Sequence, residues 1–212
     1  MTKETMNIHK ALCELKLLDA RIAKEVNALT AVGVTKKVAQ MVGSRKVTDF
    51  TAAATDQYKK ISDLIARRAA IKKAVVLSNA KTTVTIAGTE YTVAEAIEMK
   101  NHGLDGKKML LTRLVAQLTG TETSVQMAND RAERDADAYV QSIFGGKDSK
   151  NNAVEVAAAR KAYLESQAVE MVDVLDVRKL IQKLDDEINA FTSEVDSILS
   201  TSNANTNIEI EY

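Results

Sequence analysis

Apolar residues recur along this chain at steps of three and four, the spacing that lines one face of an α-helix. Ile8, Ala11, Leu15, Leu18, Ile22 and Leu29 form a first seam, widened by Leu12 and Val26. A second helix is expected from the Thr48-Asp49 N-cap residues onward, through Tyr58, Ile61, Leu64, Ile71 and Val75. Arg67 and Arg68 break its seam. A third helix begins after Thr92 and repeats Val93, Ile97, Leu104, Leu111, Leu114 and Leu118, with Lys100 and Lys107 at the positions between. Gly103 and Gly106 mark a kink in it. The last helix has the cleanest repeat: Val177, Ile181, Leu184, Ile188, Phe191, Val195 and Ile198. Stripes of this kind need facing helices. The expected fold is mainly α, a long antiparallel coiled-coil helical bundle forming a single elongated domain over residues 1–212.

Two stretches switch to the period of a strand. Thr83-Val84-Thr85-Ile86 alternates, Ala87-Gly88 supplies a turn, and Tyr91-Thr92-Val93 resumes extended character, which reads as a β-hairpin. Thr92 then serves as an N-cap, with Glu95 completing a capping box. Asn207-Ile208-Glu209-Ile210-Glu211-Tyr212 alternates in the same way. The segment from Ser78 to Ile86 matches that from Ser202 to Ile210 at a constant offset of 124 residues, and each follows an amphipathic helix. An isolated hairpin is marginal. A small sheet combining residues 82–93 with residues 206–212 is therefore expected, with the two preceding helices side by side. Elsewhere, alternating charge and Ala over residues 128–137 suits an exposed helix ending at Phe144-Gly145-Gly146. Residues 146–152 read as a loop, residues 153–166 as a helix, and residues 169–174 as an irregular lead into the last helix.

Composition sharpens this picture. The chain has no Pro, no Trp, one Cys and 4% aromatic residues, which favours long helices over a globular α/β enzyme. Twenty-nine basic residues balance 29 acidic ones. That balance argues against bulk electrostatic binding to nucleic acid or to an anionic membrane. No apolar run approaches the roughly 20 residues that cross a bilayer, and the first residues, Met1-Thr2-Lys3-Glu4-Thr5, lack a signal core. A lone Cys precludes an internal disulfide and any multi-cysteine metal centre.

Candidate chemistry is sparse. His9 and Cys13 are four apart on one helix face, a geometry for two metal ligands, but HxxxH, CxxC and HExxH patterns are missing. His102 sits among glycines, with no metal-ligand or triad pattern around it in the sequence. Asp130, Glu133 and Asp137 share a face that suits a divalent ion, yet Arg131 and Arg134 favour self-pairing. Gly145-Gly146-Lys147-Asp148-Ser149 lacks the GxxxxGK[ST] spacing of a phosphate loop. The main deviation from a bundle is a basic loop or insertion over residues 30–48. It carries Lys36, Lys37, Arg45 and Lys46, and no acid occurs between Val26 and Thr48. These four are the candidate interaction residues, as a basic projection touching nucleic acid or an acidic partner. A solvated connection looks the same, and tight DNA binding at physiological salt is not expected. The reading is therefore no enzyme, no cofactor and no metal.

The Ala-Leu-rich first helix, the strand ending at Ile86, and Tyr91-Thr92-Val93-Ala94-Glu95-Ala96-Ile97-Glu98 resemble the septicolysin-like family. That family has long helices around a strand, followed by a Thr-[LV]-Ala-Glu-Ala-Leu-type helix start. The closing segment from Ile188 to Tyr212 also looks like coiled-coil proteins encoded by bacteriophages and prophages of Gram-positive bacteria. The resemblance implies no catalytic residue. Its function implications are a structural or assembly protein of a phage particle, head- or tail-associated, or a membrane-active, toxin-like protein. A helical adaptor using the basic loop is the third expectation. Protein partners or further copies are expected, with the virion as the location for a phage-encoded chain and the cytoplasm otherwise.

Overall fold

The computed structural model describes residues 2–148 and 153–212. It is mainly α-helical. Strand β1 (Lys3–Asn7) enters helix α1 (Ile8–Ala28), and a short hairpin of β2 (Met41–Val42) and β3 (Arg45–Lys46) leads to α2 (Val47–Asn79). A second hairpin, β4 (Thr83–Ile86) and β5 (Thr89–Thr92), precedes α3 (Val93–Glu98) and a π-helical turn over Met99–Gly103. Then come α4 (Asp105–Asp148), α5 (Ala153–Gln167), α6 (Val177–Asn205) and β6 (Asn207–Glu211). The π turn ends at Gly103, the first of the two glycines at which a kink was expected. Backbone at Gly145 leaves helical geometry (φ 46°, ψ 143°), where a stop was expected. The loop expected over residues 146–152 falls partly outside the described residues.

The chain gathers into two compact units. The first joins Met1–Gly103 to Ala190–Tyr212, and the second is Leu104–Asn189. In the first, α1 and α2 run in opposite senses, because Glu25 meets Lys60 at 2.5 Å while Glu14 meets Arg67 at 2.5 Å. Ile8, Ala11, Leu15 and Leu18 of α1 close on Ile71 and Val75 of α2, together with Met6, Ile208 and Ile210. Leu12, Val26 and Tyr58, counted in the seams, face solvent at 36%, 47% and 66% exposure. One facing helix covers a narrower stripe than a bundle would.

The C-terminal strand does not join the hairpin. β6 pairs antiparallel with β1, with Met6 opposite Ile208 and Lys3 opposite Glu211, while β4 and β5 pair only with each other. The expected three-stranded sheet is thus two separate two-stranded ribbons. Ile208 and Ile210 are nevertheless buried, because their face of the ribbon lies on α1 and α2. Nor do α2 and α6 form the expected side-by-side pair: α2 packs chiefly on α1 and β6.

This pairing doubles the repeat legible in the sequence. The Val93 N–H donates to the Thr82 carbonyl (2.8 Å) and the Ile8 N–H to the Thr206 carbonyl (2.9 Å). The Thr82 and Thr206 N–H groups donate to Ser78 and Ser202, each at 2.9 Å. Thr83 faces Thr92 as Asn207 faces Asn7. Thr92 caps α3 by accepting from the Glu95 N–H, as Asn7 caps α1 by accepting from the Lys10 N–H. Behind the caps, Val93 and Ala96 are as buried as Ile8 and Ala11. The continuous run α2-β4-β5-α3 therefore has a counterpart, α6-β6 with β1-α1, assembled from the two ends of the chain.

The second unit holds α4, α5 and the first part of α6. Ala132 and Ala136 are buried, and Tyr139 stacks on Tyr163 with centroids 4.9 Å apart. Arg178 of α6 meets Glu122 of α4. Seam residues Lys100 and Lys107 do not simply weaken pairing. Within the first unit Lys100 reaches Asp196 at 2.6 Å, and within the second Lys107 reaches Glu187 at 2.6 Å.

Candidate interaction surfaces

The basic segment is built by the way α1 stops. Its C-cap, Leu29, leaves the helix in an extended conformation (ψ 125°), and irregular backbone follows up to the turn before β2. Met41 then pairs with Lys46 and Val42 with Arg45 across Gly43-Ser44. Gly43 has φ +58° at the first of the two turn positions, which suits a two-residue hairpin. The Val47 N–H donates to the Gln40 carbonyl at 3.0 Å and closes the base of the hairpin. Gly33 lies so close to it that an added Cβ would collide with Val42 Cγ1. The expected loop is thus a hairpin with an irregular arm beside it. A cleft of about 540 Å³ runs along it, lined by residues that include Ala28, Val42, Arg45, Phe50 and Gln57.

The structure brings the four candidate residues to one short segment, all exposed. Among the described residues, no ion pair involves Lys36, Lys37, Arg45 or Lys46. Beside them Val32, Val34 and Val38 are 86%, 90% and 95% exposed. This apolar component was missed in the sequence, although the valines were there to be seen. The surface can offer positive charge and uncovered methyl groups together.

A second exposed stretch lies between α5 and α6. Val169 is anchored by Asn129, whose amide donates to its carbonyl (3.1 Å) and whose oxygen accepts from its N–H (3.0 Å). The Asp173 carboxylate accepts from the Val177 N–H at 2.9 Å and so caps the start of α6. Between these anchors Val172, Val174 and Leu175 are 80%, 84% and 61% exposed.

The other candidates resolve individually. His9 Nε2 and Cys13 Sγ are 4.0 Å apart on the surface of α1, and the described residues contain no group of three or more His, Cys, Asp or Glu placed to hold a metal. Glu133 and Asp137 both bind Arg160 of α5, with Asp137 at 2.8 Å, so their face is occupied by a guanidinium. Those hydrogen bonds hold Arg160 above the usual arginine range. Ser149 of the glycine-rich stretch lies outside the described residues. A cleft of about 450 Å³ between β4 and the end of α6 is lined by Thr82, Thr83, Thr85, Thr201, Ser202 and Asn205, among others, and no titratable side chain lines it. It offers hydroxyl and amide groups without an acid or a base. Among the described residues no helix is long and apolar enough to cross a membrane.

Family sequence models, characterised proteins and solved structures offer no match to this chain.

Proposed function

We propose that this protein is a structural or assembly subunit that works through protein–protein contacts, with a bacteriophage particle as its setting. One observation carries the reading: the chain exposes 15068 Å² of surface. A compact monomer of 23.1 kDa exposes roughly 9,700 Å², and two separate compact halves would together expose roughly 11,600 Å². The surplus includes large apolar side chains on the long helices, such as Leu17 at 72%, Met109 at 72% and Met127 at 66%. Exposed apolar surface on this scale is typical of chains that cover it in an assembly. The phage setting is supported by the sequence resemblance alone.

Analytical ultracentrifugation at tens of micromolar tests the first part. Self-association is expected, and a clean monomer with no partner in pull-downs would overturn it. Mass spectrometry of purified virions tests the second, as does the presence of capsid, portal or tail genes beside this one.

A further inference from the structure

Two irregular segments share an unusual composition and carry opposite charge. Residues 30–46 hold Val32, Val34 and Val38 with four basic side chains and no acid. Residues 168–176 hold Val169, Val172, Val174 and Leu175 with Glu170, Asp173 and Asp176, and no base. In each, valines stand two residues apart, Val32 with Val34 and Val172 with Val174. Over residues 30–36 and 168–173 the backbone belongs to no helix or sheet. Both segments leave their valines uncovered in the isolated chain.

The acidic segment is shaped from within: Asp173 caps α6, and Asp176 pairs with Lys179 three residues on. Glu170 is exposed, and among the described residues no ion pair involves it. The same holds for the four basic residues of the other segment. Each copy thus carries one basic valine segment and one acidic valine segment, in equal number by construction.

We infer that residues 30–46 of one copy dock on residues 168–176 of a second copy. The valines are covered against each other, and Lys36 and Lys37 face Glu170. The inference rests on the reading of the chain as an assembly subunit and names its contact. Such a contact joins two different surfaces, so each bound copy still presents one free segment of each kind. It closes into a ring or extends as a filament. Burying seven exposed aliphatic side chains supplies apolar area, while the opposed charges fix which segments meet.

Two charge-reversed variants test this by sedimentation. Lys36→Glu with Lys37→Glu reverses the pair that faces Glu170, and Glu170→Lys reverses its partner while leaving the Asp173 cap intact. Each alone is expected to associate at least tenfold more weakly than wild type, with unchanged circular dichroism. Mixing them is expected to restore association, because every contact in an alternating array is then between opposite charges. A second measurement stands apart from charge. In a Cys13→Ser background, Val34→Cys and Val172→Cys chains should form a disulfide-linked pair on oxidation when mixed, and far less when separate. Folded variants that associate like wild type, or a mixture that fails to cross-link, overturn the contact and leave the assembly reading standing. A wild-type chain that stays monomeric overturns both.

Discussion

Ala87 takes φ +49° in the turn between β4 and β5, a conformation that costs an ordinary residue about 1 kcal/mol or more. The following Gly88, at φ +76°, adopts its angle freely. Two positive φ values in a two-residue loop are the pattern that favours Asn-Gly. The Ala87 N–H donates to the Glu194 carboxylate of α6 at 2.8 Å, which holds the turn despite its unfavourable first residue. Ala87→Asn is expected to raise stability by about 0.5–1 kcal/mol, measured by urea unfolding. Arg67 shows the converse, a residue that looks wrong in the seam and is satisfied in the structure. It reaches Glu4 at 2.8 Å and Glu14 at 2.5 Å, and its guanidinium lies 4.7 Å from the centre of the Tyr212 ring. Nothing in the local pattern announces this, because two of those partners come from the chain ends.

At the scale of elements, the pairing of α1 with α2 depends on charge as well as on its apolar stripe. Arg68 beside Asp19 and Lys60 beside Glu25 hold both carboxyls below their ordinary values of 3.8 and 4.5. The Thr92 backbone and side chain lower Glu95 in the capping box as well. A depressed carboxyl stabilises the fold above its unfolded value and loses that contribution as pH falls through the folded one. Thermal unfolding followed from pH 7 to pH 3 should therefore show a melting temperature that is level at first and drops below about pH 4.5. The melting curve of an Asp19→Asn, Glu25→Gln variant should depend less on pH. The helices were the legible part of this protein. Period and capping residues are local, and α1, α2, α3 and α6 begin close to where the seams and caps put them. Strand partnership was not legible, because a strand's period tells which face it buries and not which strand lies beside it. Asn7-Ile8 with Ala11, against Thr92-Val93 with Ala96, was the available clue. It lay at a second offset of 85 residues, which the offset of 124 did not suggest. The basic segment is legible by its charge, whereas its exposed valines are not, because isolated surface valines are ordinary.

For the molecule as a whole, the β1–β6 ribbon is the joint on which the first unit closes. Removing residues 205–212 takes Ile208 and Ile210 out of the core cluster, each worth about 1.5–3 kcal/mol, and uncovers Met6. Calorimetry of that truncation should show the transition of the first unit lowered sharply or lost, with that of the second unit left in place. Amide protection at Ile208 and Ile210 is expected in the isolated chain. A truncation that leaves the first transition unmoved would show the ribbon to be dispensable.

The same ribbon sets a clock. Ile71 and Val75 emerge early in synthesis, but the strand that covers them includes Ile210, 135 residues after Val75. At about 5–20 residues per second, the intervening stretch takes from about 7 s to nearly half a minute to make. Throughout that interval the apolar faces of α1 and α2 have only each other. A nascent chain of this protein is thus an unfinished fold with sticky helices, and neighbours on one messenger carry the same exposed faces at the same time.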